Sequence, residues 1–200
     1  MKITYFGHSH FLIEGGEYSI TLDPFKNIGL KENKTESDYL FCSHEHYDHN
    51  NRSIVTYKKE VENKPPFKVI ETFHDEKFGS LRGKNKVLLF NLDGKKIAFL
   101  GDLGEYDSES LISELKFVDL LLIPVGGTYT IDTFGAIDYL QKIQPKAVIP
   151  MHFHYGKSTV DISAVDCFLS KFNSYKTVNG VFDYNGESGV IYIIPQGEDL

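Results

Sequence analysis

The sequence has only two cysteines and no excess of basic residues. Cys42 and Cys167 form no C-x-x-C pair, and isolated cysteines in a chain without an apolar leader predict reduced, buried thiols in a cytoplasmic protein. Lysine and arginine total 21 against 28 aspartates and glutamates, which gives a net charge of −7. Because a phosphate-tracking groove needs a basic surface, this balance argues against nucleic acid as the partner.

The sequence also lacks a long apolar run, an internal repeat and a low-complexity linker. Without about 18 consecutive apolar residues, no membrane span is expected. The N-terminal stretch Met1–Tyr5 turns polar by Gly7, so no signal peptide is expected either. The chain has 200 residues, of which 41% are hydrophobic, and is long enough to bury a sizeable core. These features predict one domain over residues 1–200.

Histidine is the residue type that stands out, because all eight histidines fall into four tight groups. The groups are His8 and His10; His44, His46 and His49; His74; and His152 and His154. Such grouping is what a metal site requires, since several imidazoles must converge on one ion.

The hydrophobic pattern predicts a strand-rich first half and a second half in which strands and helices alternate. Strands are expected at residues 3–6, 11–14, 18–22, 39–42, 67–72, 87–92, 97–100, 118–125, 147–149 and 190–194. Asp93-Gly94 favours a type I′ hairpin. Helices are expected at 132–143, at 162–172 and from His49 to about Lys59, ended by Pro65-Pro66, and residues 31–37 are expected to form a loop. The alternation predicts a layered α/β protein with mixed sheets.

The densest chemical motif is Ser43-His44-Glu45-His46-Tyr47-Asp48-His49, which follows an apolar strand directly. Three imidazoles and a carboxylate on so short a loop cannot all bind one ion. They can serve two ions, with His44 and His46 on one and Asp48 and His49 on the other. The motif is not the helical H-E-x-x-H of zinc proteases, because Asp48 follows where the second histidine would be needed.

With this H-x-H-x-D-H motif the sequence resembles the metallo-β-lactamase fold hydrolases. Further matching segments are 7–9, 22–24, 101–104, 124–132 and 149–152, and they are similar to the small branch that includes ascorbate-6-phosphate lactonase-like and RomA-like proteins. The resemblance implies a four-layer αββα sandwich with mixed sheets and the site at one edge of the two sheets.

The resemblance also implies a seven-ligand site for two divalent metal ions. His44, His46 and His74 would hold one ion; Asp48, His49 and His152 would hold the other; Asp102 would bridge them. Nitrogen and oxygen donors suit zinc best, with manganese and iron as alternatives.

Several of these assignments have competing interpretations. His152 matches the family's Pro-Met-His position, but His154 lies two residues on and the two could exchange roles. If His152 is the ligand, His154 faces the substrate, and His154 or Tyr155 is the candidate that protonates the leaving group. His74 could be a surface loop histidine, and Asp102 could be a plain turn residue.

Other residues are expected to support the site or the fold. His8 and Asp23 are interpreted as outer supports of the ligands, with a core position as the alternative for His8. His10 is expected on a strand surface, and Asp132 as a helix N-cap. Tyr47 is expected to narrow the pocket or contact substrate.

The expected function is hydrolysis of a small ester, lactone or phosphoester by a hydroxide that bridges two metal ions. Asp48 would orient this hydroxide or take its proton. The alternatives are a nucleic-acid phosphodiesterase of the same superfamily and a non-catalytic metal-binding protein. A small-molecule substrate is the expected partner. Since small members of the family often associate, the resemblance also allows a homo-oligomer.

Overall fold

The computed structural model describes residues 1–58 and 67–197, and these residues form three β-sheets and three α-helices. The strands of the first part of the chain are β1 (Lys2–Gly7), β2 (His10–Glu14), β3 (Ser19–Leu22), β4 (Thr35–Ser37), β5 (Tyr39–Phe41) and β6 (Val55–Tyr57). The remaining strands are β7 (Phe67–Phe73), β8 (Lys84–Leu92), β9 (Lys95–Phe99), β10 (Leu120–Pro124), β11 (Ala147–Met151), β12 (Lys176–Asn179), β13 (Val181–Asp183) and β14 (Gly189–Ile194). The helices are α1 (Glu109–Leu115), α2 (Thr133–Ile143) and the short α3 (Asp166–Leu169).

Two large mixed sheets pack face to face. The first has the order β13-β1-β2-β3-β5, and the second has the order β12-β14-β11-β10-β9-β8-β7. Apolar side chains of both sheets join in one buried core. Phe11 and Phe99 meet across it with ring centroids 6.4 Å apart, and Tyr5 and Phe153 meet at 6.0 Å. The expected layered α/β architecture with mixed sheets is confirmed.

Two helices cover the outer face of the second sheet. α1 connects β9 to β10 and α2 connects β10 to β11, and these three strands are parallel neighbours. Right-handed crossovers that progress in one direction place both helices on the same face of the sheet. Leu115 of α1 and Tyr139 of α2 are buried there, which removes their apolar surface from water.

The outer face of the first sheet carries the small parallel sheet of β4 and β6. The Thr21 hydroxyl, on β3, lies 3.0 Å from the Thr35 hydroxyl and 2.8 Å from the Ser37 hydroxyl. These buried hydroxyls satisfy one another, so residues 35–37 form a strand where the sequence predicted a loop.

The hairpin and the first long helix form as predicted. Asp93 and Gly94 both have positive φ, 50° and 68°, as a type I′ turn requires. The Asp132 carboxylate accepts a hydrogen bond from the backbone N–H of Gly135 at 2.9 Å, so Asp132 is the N-cap of α2. The helix ends at Ile143, before Gln144 in the left-handed conformation and Pro145.

Two helix predictions are wrong. Residues 162–172 contain only the short α3, because the N–H of Ser163 donates to Gly126 and the N–H of His154 donates to the Ser163 carbonyl. These long-range hydrogen bonds hold the start of the segment extended. After His49 the chain forms a 3₁₀ turn and then β6 in place of the expected helix; Pro65-Pro66 lie outside the described residues.

Candidate active site

The predicted site residues follow strand ends at one edge of the two sheets. β1, β3 and β5 run in one direction in the first sheet, and β7, β9, β10 and β11 run in one direction in the second. Strands that share a direction bring their carboxyl ends to the same edge. The residues that follow these ends are His8, Asp23, the 43–49 motif, His74, Asp102 and His152.

The carboxylate of Asp102 lies at the centre of this group. Its Oδ2 atom is 3.1 Å from His49 Nε2, 3.2 Å from His152 Nε2 and 3.3 Å from His74 Nε2. His44 Nε2 is slightly farther, at 3.9 Å. One carboxylate therefore faces four imidazoles that come from three separate loops.

Two glycines let the strand ends approach this closely. A Cβ on Gly101, which has φ +54°, would lie 2.4 Å from the Ser43 side chain, and one on Gly104 would lie 2.4 Å from the His74 backbone. Real Cβ atoms do not approach other atoms this closely. Gly101 and Gly104 therefore allow the segment after β9 to place Asp102 between the histidine loops.

Hydrogen bonds fix the tautomer of two of these histidines. Asp23 Oδ2 lies 2.8 Å from His49 Nδ1, so the ring donates there and Nε2 is the nitrogen that faces the cluster. The Ser43 hydroxyl donates to Asp23 and lies 2.9 Å from His44 Nδ1. Because that hydroxyl proton is already used, His44 donates from Nδ1 and its Nε2 lone pair faces the cluster.

A third histidine is oriented by a backbone carbonyl. His74 Nδ1 lies 3.1 Å from the Tyr129 carbonyl oxygen, which can only accept a hydrogen bond. The Nε2 atom of His74 therefore also presents a lone pair to Asp102. Histidines that bind metal ions typically donate a hydrogen bond from one ring nitrogen to a neighbouring group and leave the other nitrogen for the ion.

The electrostatics of the buried group couple Asp102 to the imidazoles. Burial by itself would raise the pKa of the Asp102 carboxyl, but the facing His152 and His49 outweigh it and hold that pKa well below its ordinary value. Burial would lower the pKa of His49, but the Asp102 and Asp23 carboxylates raise it well above the ordinary value. Without a metal, His49 therefore also carries a proton on Nε2, and an ion that binds there would displace it.

The remaining groups are held in the state that a cation requires. Burial lowers the pKa of His44 to about 2 and that of His8 to about 3, so both rings stay neutral. Burial would raise the pKa of Asp48, but its hydrogen bond to His8 and the nearby His49 lower it, so the carboxylate is ionised. Neutral imidazoles and ionised carboxylates are the forms that bind metal ions.

The residues present fit divalent cations. Two sets of three histidines, His44/His46/His74 and His8/His49/His152, each offer ligand atoms within 4.8 Å of one another. The buried atoms His44 Nε2 and Asp102 Oδ1 have no hydrogen-bond partner among the described residues. A buried polar atom without a partner is costly, and a cation held by this donor set would give both atoms one.

A cavity of about 570 Å³ opens above the cluster. Of the predicted site residues, His46, Asp48, His74, Asp102 and His152 line it, and so does Tyr47, as expected. The other lining residues were not predicted as site residues; they are Arg82, Tyr129, Thr159, Val160 and Asp161. They come from loops with no metal-ligand motif, so nothing local in the sequence marked them.

The structure separates the two histidines whose roles were left open. His152 is buried, has φ +51° and faces Asp102. His154 is exposed, does not line the cavity, and has its Nδ1 atom 3.5 Å from the Val160 carbonyl. His152 therefore joins the cluster and His154 does not.

Two expectations about single residues are wrong. Cys167 is exposed rather than buried, whereas Cys42 is buried as expected and burial raises its pKa to about 12. His10 is not on a strand surface: it is fully buried against Phe6 and Phe25, with ring centroids 4.6 and 5.6 Å away. Neither of its ring nitrogens has a partner among the described residues.

Replacement of His10 by phenylalanine is expected to make the metal-free protein less sensitive to acid. Burial lowers the pKa of His10 to about 3. The unfolded chain therefore takes up a proton below about pH 6.5 that the folded chain refuses, and stability is lost as the pH falls. The drop in unfolding free energy from pH 7 to pH 5, measured by urea titration, should shrink by about 2 kcal/mol.

The matched control is His154→Phe, which changes an exposed histidine. An equal drop in His10→Phe and in the unsubstituted protein would show that His10 is protonated in the folded state.

The family model described as the beta-lactamase superfamily domain matches residues 2–152, so the chain belongs to this family. The crystal structure of a candidate Zn-dependent hydrolase of the metallo-β-lactamase superfamily from Thermotoga maritima is 32% identical, with a TM-score of 0.77. The match covers 96% of this chain and 97% of that one. The fold and the family implied by the sequence motifs are confirmed.

Two further comparisons agree with this family. A UPF0173 metal-dependent hydrolase of Carboxydothermus hydrogenoformans is 27% identical, and the match covers 77% of this chain and 85% of that protein. The metallo hydrolase Igni18 of Ignicoccus hospitalis shares the fold at 20% identity, with a TM-score of 0.63 over 98% and 95% of the two chains.

In the described part of the chain, every helix is too short or too polar to span a lipid bilayer.

Proposed function

We propose that this protein hydrolyses a small ester, lactone or phosphoester with the help of two divalent metal ions. That the chain is a metal-dependent hydrolase rests on its family and on the names of its relatives. The proposal of two ions rests on one observation. Histidine Nε2 atoms, oriented by hydrogen bonds at Nδ1, converge from several loops on the Asp102 carboxylate, at the floor of an open cavity.

The ligand assignment is the one that the family resemblance implies. His44, His46 and His74 would hold one ion, Asp48, His49 and His152 would hold the other, and Asp102 lies between the sets. Ions of this kind would supply positive charge against the scissile group and a water molecule of lowered pKa. Zinc suits the imidazole-rich set best, with manganese and iron as alternatives.

The chain's own residues would position the reacting water and the substrate. Asp48 lines the cavity and is ionised, so its carboxylate can accept a hydrogen bond from water and orient it. His154 was the candidate for protonating the leaving group, but it lies outside the cavity lining. For His154 to protonate the leaving group, its side chain would have to turn into the cavity.

The cavity wall carries one permanently positive side chain, Arg82, which can recognise an anionic group of a substrate even though Asp161 also lines the wall. Arg82 is the only lysine or arginine among the described residues that line the cavity. Its guanidinium carbon lies 5.3 Å from the centre of the Tyr129 ring. The Tyr129 carbonyl also accepts a hydrogen bond from His74. Tyr129 therefore holds the Arg82 guanidinium close to a predicted metal ligand.

A buried aspartate shapes the loop that presents Arg82. Asp75 follows His74 directly and accepts hydrogen bonds from the backbone N–H groups of four loop residues at 2.8–3.1 Å. The donors are Lys77, Gly79, Leu81 and Arg82. The segment that carries Arg82 is therefore fixed relative to a predicted metal ligand, as an anion-recognising group should be.

Hydrolysis by the metal-loaded protein tests the proposed function. Zinc-loaded protein is assayed on neutral and carboxylate-bearing 4-nitrophenyl esters, a lactone and bis(4-nitrophenyl) phosphate, with chelator-treated protein as the control. We expect metal-dependent hydrolysis of at least one class. Failure on all of them would favour the non-catalytic metal-binding alternative.

Replacement of Arg82 by glutamine tests the substrate charge. For a 4-nitrophenyl ester with a free carboxylate, we expect KM to rise about 10-fold or more, because a hydrogen bond to a charged group is lost. The KM for the neutral ester should not change. Lys77→Gln, on the same loop but exposed and outside the cavity lining, is the matched control. Equal effects of Arg82→Gln on both esters would contradict a role in anion recognition.

A further inference from the structure

His8 is held in a strained position beside the cluster. It has φ +53°, a conformation that residues other than glycine rarely adopt. Its carbonyl oxygen accepts hydrogen bonds from the Tyr5 hydroxyl at 2.8 Å and from the backbone N–H of His152 at 2.7 Å. The strain is thus maintained by two hydrogen bonds, one of which couples His8 to a predicted ligand. Strain of this kind is typical of functional sites.

The side chain of His8 reaches the atoms that would bind the second ion. Its Nε2 atom lies 3.0 Å from His49 Nε2 and 3.4 Å from Asp48 Oδ2, and its ring centroid is 4.2 Å from that of His152. Two ligands at 2.0–2.1 Å from one ion and at ordinary angles are separated by about 2.9–3.4 Å. Both distances from His8 Nε2 fall in this range.

A plain hydrogen bond between the two histidines conflicts with ion binding. His49 donates from Nδ1 to Asp23, so its contact with His8 is made through Nε2. The same Nε2 atom is the one that His49 would give to the ion. Once the ion binds, His8 Nε2 must find another partner, and the ion itself lies within reach.

We propose that His8 is an additional ligand of the second metal ion, together with Asp48, His49 and His152. This inference rests on the two-ion centre of the proposed function and extends its ligand set. Each ion then has three imidazoles, and Asp102 lies between two histidine triads. The alternative is that His8 remains outside the coordination sphere and donates a hydrogen bond to Asp48.

Cadmium-113 NMR of the full-length chain distinguishes the two arrangements. In protein loaded with two equivalents of ¹¹³Cd, a histidine that binds the ion shows scalar coupling between its ring protons and the metal. We expect coupling to six rings, the members of both triads. His8→Asn identifies the His8 signal, since asparagine tolerates positive φ, and should weaken binding of the second equivalent at least 100-fold. His10→Asn, at a buried histidine outside the triads, is the control and should keep both equivalents.

Coupling to only five rings, with two equivalents bound, would overturn the assignment of His8 and leave the two-ion centre intact. Uptake of a single equivalent by the unsubstituted protein would instead overturn the two-ion centre, and the inference with it. If His8→Asn does not fold, the number of coupled rings in the unsubstituted protein still decides.

Discussion

Replacement of Asp102 by asparagine is expected to abolish tight metal binding and to lower turnover on the order of 10³-fold or more, while the chain still folds. The substitution keeps the size of the side chain and removes its charge. Asp102 Oδ2 lies within 3.9 Å of four histidine Nε2 atoms. An uncharged amide at this position would no longer attract the cations that these histidines would bind. Metal content and hydrolysis rate are the measurements, with far-UV circular dichroism to verify the fold.

The control for this substitution is Asp183→Asn, at an exposed aspartate on β13. It removes the same charge from the chain but not from the site, and should bind metal and turn over as the unsubstituted protein does. An Asp102→Asn protein that is folded and retains full metal-dependent activity would show that the position of Asp102 between the triads is not functional.

The second large effect is expected at His152, and its neighbour His154 provides the comparison. His152→Asn should lose one equivalent of metal and at least about 100-fold in turnover, because the shortened side chain withdraws Nε2 from its place 3.2 Å from Asp102. Asparagine is the appropriate replacement, since His152 has positive φ. His154→Asn should retain both metal equivalents and turnover within about threefold, because His154 is exposed and outside the cavity lining.

The reverse result, with His154→Asn losing metal and His152→Asn keeping it, would exchange the two assignments. Loss of turnover in His154→Asn with both metals retained would support the role of His154 in protonating the leaving group. That effect should then be largest for substrates with poor leaving groups.

Local chemistry made much of the fold predictable. The hairpin of β8 and β9 follows from Asp93-Gly94, and α2 follows from the N-cap Asp132 and its apolar periodicity. The β4–β6 pair could not be predicted, because the hydroxyl contacts that hold it join residues far apart in the chain. The helix expected at 162–172 was lost to backbone hydrogen bonds with Gly126 and His154, which no local pattern reveals.

The same division applies to the site. The seven predicted ligands were recognisable because each stands in a motif, or at a strand end with a chemistry that metal ions require. The structure brings all of them to one edge of the sheets. Arg82 was missed because its position depends on Asp75 and Tyr129, through contacts that only the fold creates. His8 also follows a strand end, and that position could have indicated its place in the cluster.

The most direct test of the account is the metal content per chain, measured by elemental analysis after loosely bound metal has been removed. The two histidine triads with Asp102 between them predict close to two equivalents of zinc, manganese or iron. A single equivalent would contradict the two-ion centre, and the set of Asp48, His49 and His152 would be the first to re-examine. No bound metal after reconstitution would contradict the proposed hydrolytic mechanism altogether.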